Sequence, residues 1–62
     1  MTLNEIKAAV EAGKTVHWKN PAYTVIHDRA GQWLIHHPDG CIGLTCQDGI
    51  TMNGEPGDFF IA

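Results

Sequence analysis

Six side chains in this chain can ligate a metal or attack a carbon: His17, His27, His36, His37, Cys41 and Cys46. Zinc needs ligands that converge on one point with bonds of about 2.0–2.3 Å, and structural zinc sites draw on closely spaced cysteine pairs. No such pair exists here. Cys41 and Cys46 are five positions apart, which in an extended strand means about 17 Å and opposite faces. A disulfide needs Cα atoms within about 7 Å, so neither a shared metal nor a bridge fits. His36 and His37 are neighbours and also point to opposite faces. The tightest grouping is His37 with Cys41 across a strand pair, with Tyr23 on the far side. An imidazole beside a thiol is suitable for a small metal-binding or thiol-dependent domain. No orienting acid, oxyanion hole or deep pocket accompanies it. Surface histidines and two free thiols are the simpler reading, so the chain is expected to be neither an enzyme nor a carrier of a cofactor.

The other charged groups suggest less. Asp28, Asp39, Asp48, Glu55 and Asp58 fall at turns, where carboxylates shape the backbone. No glycine loop lies between a strand and a helix, so phosphate cradling is not predicted. The net charge is −3, and the four cations Lys7, Lys14, Lys19 and Arg29 are scattered. Nucleic-acid binding calls for a dense basic patch. No basic leader, and no apolar run long enough for a bilayer, is visible. The expectation is a cytoplasmic protein with neither nucleic acid nor membrane as partner.

These residues must be positioned by short elements. Thr2 followed by Glu5 has the form of a capping box. Leu3, Ile6 and Val10 then recur at helical spacing, with Ala9 beside them, and Gly13 suits a left-handed stop. A helix is predicted over about residues 3–12. Strands are predicted at 15–18, 23–28, 32–37, 41–46 and, briefly, 50–52. Lys19 to Ala22 reads as a turn. The apolar tail from Asp58 to Ala62 is expected to pack back onto the sheet.

Three glycine-terminated bends set the register: Arg29-Ala30-Gly31, Pro38-Asp39-Gly40 and Gln47-Asp48-Gly49. Each reads as a three-residue hairpin loop closed by a left-handed glycine. That pairs Asp28 with Gln32, His37 with Cys41 and Cys46 with Ile50. Alternation then sorts the side chains into two faces. One carries Ile26, Leu34, His36, Ile42, Leu44, Cys46, Ile50 and Met52, and the helix is expected to cover it. The other carries Tyr23, Val25, His27, Trp33, Ile35, His37, Cys41, Gly43, Thr45 and Thr51. Its aromatic patch then needs another cover, from the first strand, the tail, a second copy or a partner. Aromatic residues anchor interfaces out of proportion to their number. Tyr23, Val25, Trp33 and Ile35, rimmed by His27 and His37, are therefore the predicted partner-binding residues.

At 62 residues there is room for a single domain spanning the chain. The predicted class is α+β: an N-terminal helix on a twisted four- to five-stranded antiparallel meander, with partial closure into a small barrel as a variant. The function expected of it is a small non-enzymatic protein-interaction module, taking a protein partner or forming a homodimer. The segments Gly13-Lys14-Thr15-Val16-His17-Trp18, Tyr23-Thr24-Val25-Ile26 and Ile42-Gly43-Leu44-Thr45, with Asp48-Gly49 and Asp58-Phe59-Phe60, resemble a group of small uncharacterised proteins of proteobacteria and their phages or mobile elements. The resemblance implies no reaction. It implies a phage-type accessory or inhibitor role.

Overall fold

A computed structural model describes residues 1–62. The chain runs α1 (Leu3–Glu11), β1 (Val16–Trp18), β2 (Asn20–His27), β3 (Trp33–His37), β4 (Gly40–Gly43), a short 3-10 turn (Pro56–Asp58) and β5 (Phe59–Ile61). One helix packs on a five-stranded antiparallel sheet in the order β4-β3-β2-β1-β5. β4 and β5 are the two edges, so the sheet is open and not closed into a barrel.

The start of α1 follows from its first residues. The Thr2 side chain accepts from the Glu5 amide at 3.2 Å, and Glu5 Oε1 accepts from the Thr2 amide at 2.8 Å. Two donors that the helix cannot satisfy internally are thereby paired. The Glu5 carboxyl is held below its ordinary range by those bonds from Thr2. At the other end Gly13 has φ +86°. Its amide donates to Val10 and the Lys14 amide to Ala9, both at 3.0 Å. This is the paired pattern of a Schellman stop, and it turns the chain directly into β1.

The first bend is the predicted one. Gly31 has φ +83°, the Asp28 amide donates to the Gln32 carbonyl at 2.9 Å, and Asp28 Oδ1 accepts from the Gln32 amide at 2.8 Å. Val25 lies opposite Ile35, Ile26 opposite Leu34 and His27 opposite Trp33.

The second bend departs from expectation by one residue. His37 pairs with Gly40, and His36, not His37, pairs with Cys41. The loop is the two residues Pro38-Asp39, with Gly40 already in β4. A proline with its fixed φ at the first loop position, and a glycine directly after the second, suits a tight four-residue turn. His37 Nδ1 reinforces it by accepting from the Asp39 amide at 3.1 Å. A one-residue slip reverses every side chain beyond it. Ile42 and Leu44 thus move to the face of Ile35 and Trp33, while Cys41 and Gly43 move to the face of Leu34 and His36.

The third bend departs the other way and is longer than predicted. The Cys46 amide donates to the Thr51 carbonyl at 2.7 Å, leaving Gln47 to Ile50 as the loop. Asp48 holds that loop by accepting from the Ile50 and Thr51 amides and the Thr51 hydroxyl. No strand forms at 50–52, where Thr45 and Met52 make a single bridge. The fifth strand is instead the tail: β5 pairs with β1, with Phe60 opposite His17 and Phe59 opposite Trp18.

The core follows from these registers. Ile6, Ala9, Val16, Trp18, Val25, Ile35, Leu44 and Phe59 are buried and form one cluster. Val25 and Ile35 belong to the face predicted to carry the partner site. The helix therefore covers that face, and the assignment of the two faces is reversed. Trp18, which the sequence left on neither face, lies at the centre. Its indole meets Tyr23 edge-on at 5.0 Å and Phe59 at 6.3 Å, with Lys19 Nζ 4.4 Å from the ring centroid. The covered face holds every aromatic ring except Phe60, and that larger apolar area drives the choice.

Candidate functional site

The predicted partner patch is mostly interior. Val25 is 4% exposed and Ile35 is 0% exposed, so neither can meet a partner. Tyr23 is half-buried between Trp18 and His37, the His37 ring lying 4.5 Å from its own. Trp33 is half-buried, stacked on His27 at 4.1 Å and 8°, with Lys7 Nζ at 5.5 Å. Only His27 of the six is exposed. α1 does for this patch what a partner was expected to do.

The slip at Pro38-Asp39 means that His37 and Cys41 are not cross-strand partners, although both border one shallow recess with Tyr23. His37 faces Gly40, while its Nδ1 lies 3.7 Å from Asp39 Oδ2. Cys41 and Cys46 are free thiols, both exposed. Cys46 Sγ donates to Asn53 Oδ1 at 3.2 Å. No three His, Cys, Asp or Glu side chains come together where they could hold one metal ion.

The face left without a cover is the one opposite α1. The registers align one row of side chains across all five strands: Phe60, His17, Thr24, His36 and Cys41. Beside it runs a second row of Ile26, Leu34 and Gly43. Ile26, Leu34, His17 and Thr24 are half-buried. Phe60 is 40% exposed.

His17 is the member of the first row that its contacts orient. His17 Nδ1 lies 3.0 Å from the Tyr23 carbonyl oxygen and 3.4 Å from Thr24 Oγ1. A carbonyl only accepts, so this contact places the proton on Nδ1 and leaves Nε2 as an acceptor. The His17 ring also lies 5.5 Å from that of Phe60. At the far end of the second row Asn53 Nδ2 donates to the Gly43 carbonyl at 2.8 Å and the Thr45 carbonyl at 3.2 Å. This contact ties the long loop to the sheet. The face as a whole is an aliphatic pair bordered by an aromatic edge, two imidazoles and a thiol. It has donors and acceptors at its rim and no enclosed cavity, a form suited to docking rather than to bond-breaking.

Sequence reasoning placed Ile26, Leu34 and His36 together on one face. It missed Phe60 and His17, because nothing local in the sequence says that the tail pairs with β1. The expected helix cover, on the other hand, sits on the opposite side. In comparisons with known proteins, no family model, no curated protein and no solved structure matches this chain. No helix is long and apolar enough to cross a membrane.

Proposed function

We propose that this protein is a non-enzymatic protein-interaction module that docks a partner on the sheet face opposite α1. One observation carries the reading. Ile26 and Leu34 sit side by side, half-buried, on the sheet face opposite α1. A sheet that is apolar on both sides is ordinarily covered on both, by its own chain or another. Phe60 adds an aromatic anchor at one border, and His17 and His36 supply polar groups between. An accessory or inhibitor protein that occludes part of a larger partner is the form of this role that the sequence resemblance favours.

The test is binding by the purified protein and by the double variant Ile26→Lys/Leu34→Lys. A partner captured from the native host and then purified should bind the wild-type chain and lose at least about tenfold in affinity for the variant, since buried lysines at an interface core are heavily penalised. Where the lysines unfold the chain, Ile26→Thr/Leu34→Thr keeps strand propensity and removes the same apolar area. Unchanged affinity in a folded variant would overturn the proposal.

A further inference from the structure

We infer that β5 is the seam at which two copies of this chain join, edge to edge, into one continuous antiparallel sheet. The inference goes beyond the docking-face reading, because a copy joined at this edge leaves Ile26 and Leu34 uncovered.

The first argument is the edge itself. Exposed edge strands in monomers are commonly guarded by charge, proline, a bulge or extreme shortness. β5 is short, at three residues, but has no charge, proline or bulge: its sequence is Phe59-Phe60-Ile61, with Phe60 40% and Ile61 45% exposed. The opposite edge, β4, begins and ends in glycine.

The second argument is the hydrogen-bond pattern. The Lys19 amide donates to the Asp58 carbonyl at 2.8 Å, and the Ala62 amide donates to the Thr15 carbonyl at 2.9 Å. In an antiparallel ladder, alternate residues turn their N–H and C=O to the same neighbour. Asp58, Phe60 and Ala62 therefore face β1. Ile61 aims both its groups outward, and Phe59 its carbonyl, the Phe59 N–H being taken by the Pro56 carbonyl. A two-fold pairing that sets Phe59 against the second copy's Ile61, and Ile61 against the second copy's Phe59, lets each Ile61 N–H donate to the other copy's Phe59 carbonyl, two bonds related by the axis. Phe60 then lies opposite its own copy on the two-fold axis, in the closer, non-hydrogen-bonded position.

The third argument is charge. A groove of about 350 Å³ runs between α1 and β5, floored by Ala8, Ala9, Ala12 and Ile61. Glu5 borders it in the first turn of α1, and Lys14 borders it past the last. The two-fold that pairs β5 with itself runs the two grooves antiparallel. Each Glu5 is then brought toward the second copy's Lys14, so the surface is complementary to itself.

Light scattering at rising concentration, up to roughly millimolar, reads the mass. A dimer is expected. Phe60→Lys sets two charges together on the axis and should weaken it at least about tenfold. Ile61→Pro deletes one outward N–H without touching a bond to β1, and should do the same. In a Cys41→Ser/Cys46→Ser background, Phe60→Cys should oxidise to a disulfide dimer, since Cα atoms at such a position approach about 4.5 Å. Ile61→Cys should not, because its copy lies across the diagonal. A chain that stays monomeric, or a dimer that survives both Phe60→Lys and Ile61→Pro, overturns the inference. A monomer that still loses a purified partner on Ile26→Lys/Leu34→Lys refutes the seam and leaves the docking face standing.

Discussion

Gly54 offers the sharpest test of how the core is closed. A methyl group at this position would sit against Trp18 Nε1, 3.0 Å from Cε2 and 3.3 Å from Cδ1. Carbon atoms in comfortable contact are about 3.5–4.0 Å apart. The ring has little freedom to retreat: Trp18 is 9% exposed, with Tyr23 edge-on against it, Phe59 alongside and the Lys19 ammonium nearby. The buried Trp18 indole N–H, which has no hydrogen-bond partner, is the atom that the added methyl would meet first. Overpacking of this kind costs about 1–3 kcal/mol. Replacing glycine also stiffens the unfolded chain, which returns about 0.4–1 kcal/mol. Gly54→Ala should therefore destabilise by about 1–2 kcal/mol net, a fall in Tm of about 5–15 °C for a domain of this size. Gly57→Ala is the control. Nothing lies within 4 Å of its added methyl and its φ is not left-handed, so it should melt at or slightly above the wild-type temperature. Thermal denaturation followed by circular dichroism decides the matter, with the near-ultraviolet signal reporting Trp18. If Gly54→Ala melts no lower than Gly57→Ala, Trp18 and the loop before β5 are not packed as described.

Two further outcomes follow from the long loop. Hydrogen bonds from the Ile50 and Thr51 amides and the Thr51 hydroxyl hold the Asp48 carboxyl below its ordinary value of 3.8. A carboxyl depressed in the folded state stabilises the fold above its unfolded pKa, and that contribution is lost as pH falls through the folded value; melting curves from pH 7 to about 2.5 should show a weaker acid dependence for Asp48→Asn than for wild type, and parallel curves would contradict the assignment. Asn53→Ala removes the bonds to the Gly43 and Thr45 carbonyls, so hydrogen exchange of the Asn53 and Cys46 amides should accelerate by about tenfold while Val25 and Ile35 stay protected; acceleration spread evenly over the sheet would mean that Asn53 holds more than the loop.

What the sequence made legible was set by how local the determinants are. The capping box at Thr2 and Glu5, the stop at Gly13 and the register from Asp28 to Gln32 each depend on residues a few positions apart, and each forms as read. The class, one helix on an antiparallel sheet, follows from those periods. The bend at Pro38 was misjudged because Pro-Asp-Gly satisfies two loop lengths, and the choice between them is decided by what Ile42 and Leu44 must reach. That single residue then exchanged the faces of β4, taking Leu44 into the core and setting His36, not His37, across from Cys41. The choice of face for α1 rests on the total apolar area that Trp18, Phe59 and Leu44 bring from distant parts of the chain, a sum that no window of sequence contains. The pairing of Phe60 with His17 is the same kind of fact.

The sheet order also sets a schedule for assembly. The strand made last takes its place beside the strand made first, where Phe59 closes one flank of Trp18 and the Asp58 carbonyl receives the Lys19 amide. A ribosome-bound chain whose final strand is still inside the exit tunnel holds α1 and the β1–β4 meander with one side of its central tryptophan bare. Cooperative folding must then wait until β5 has emerged, and a product cut short before Phe59 would show its largest apolar ring to whatever quality-control factor meets it.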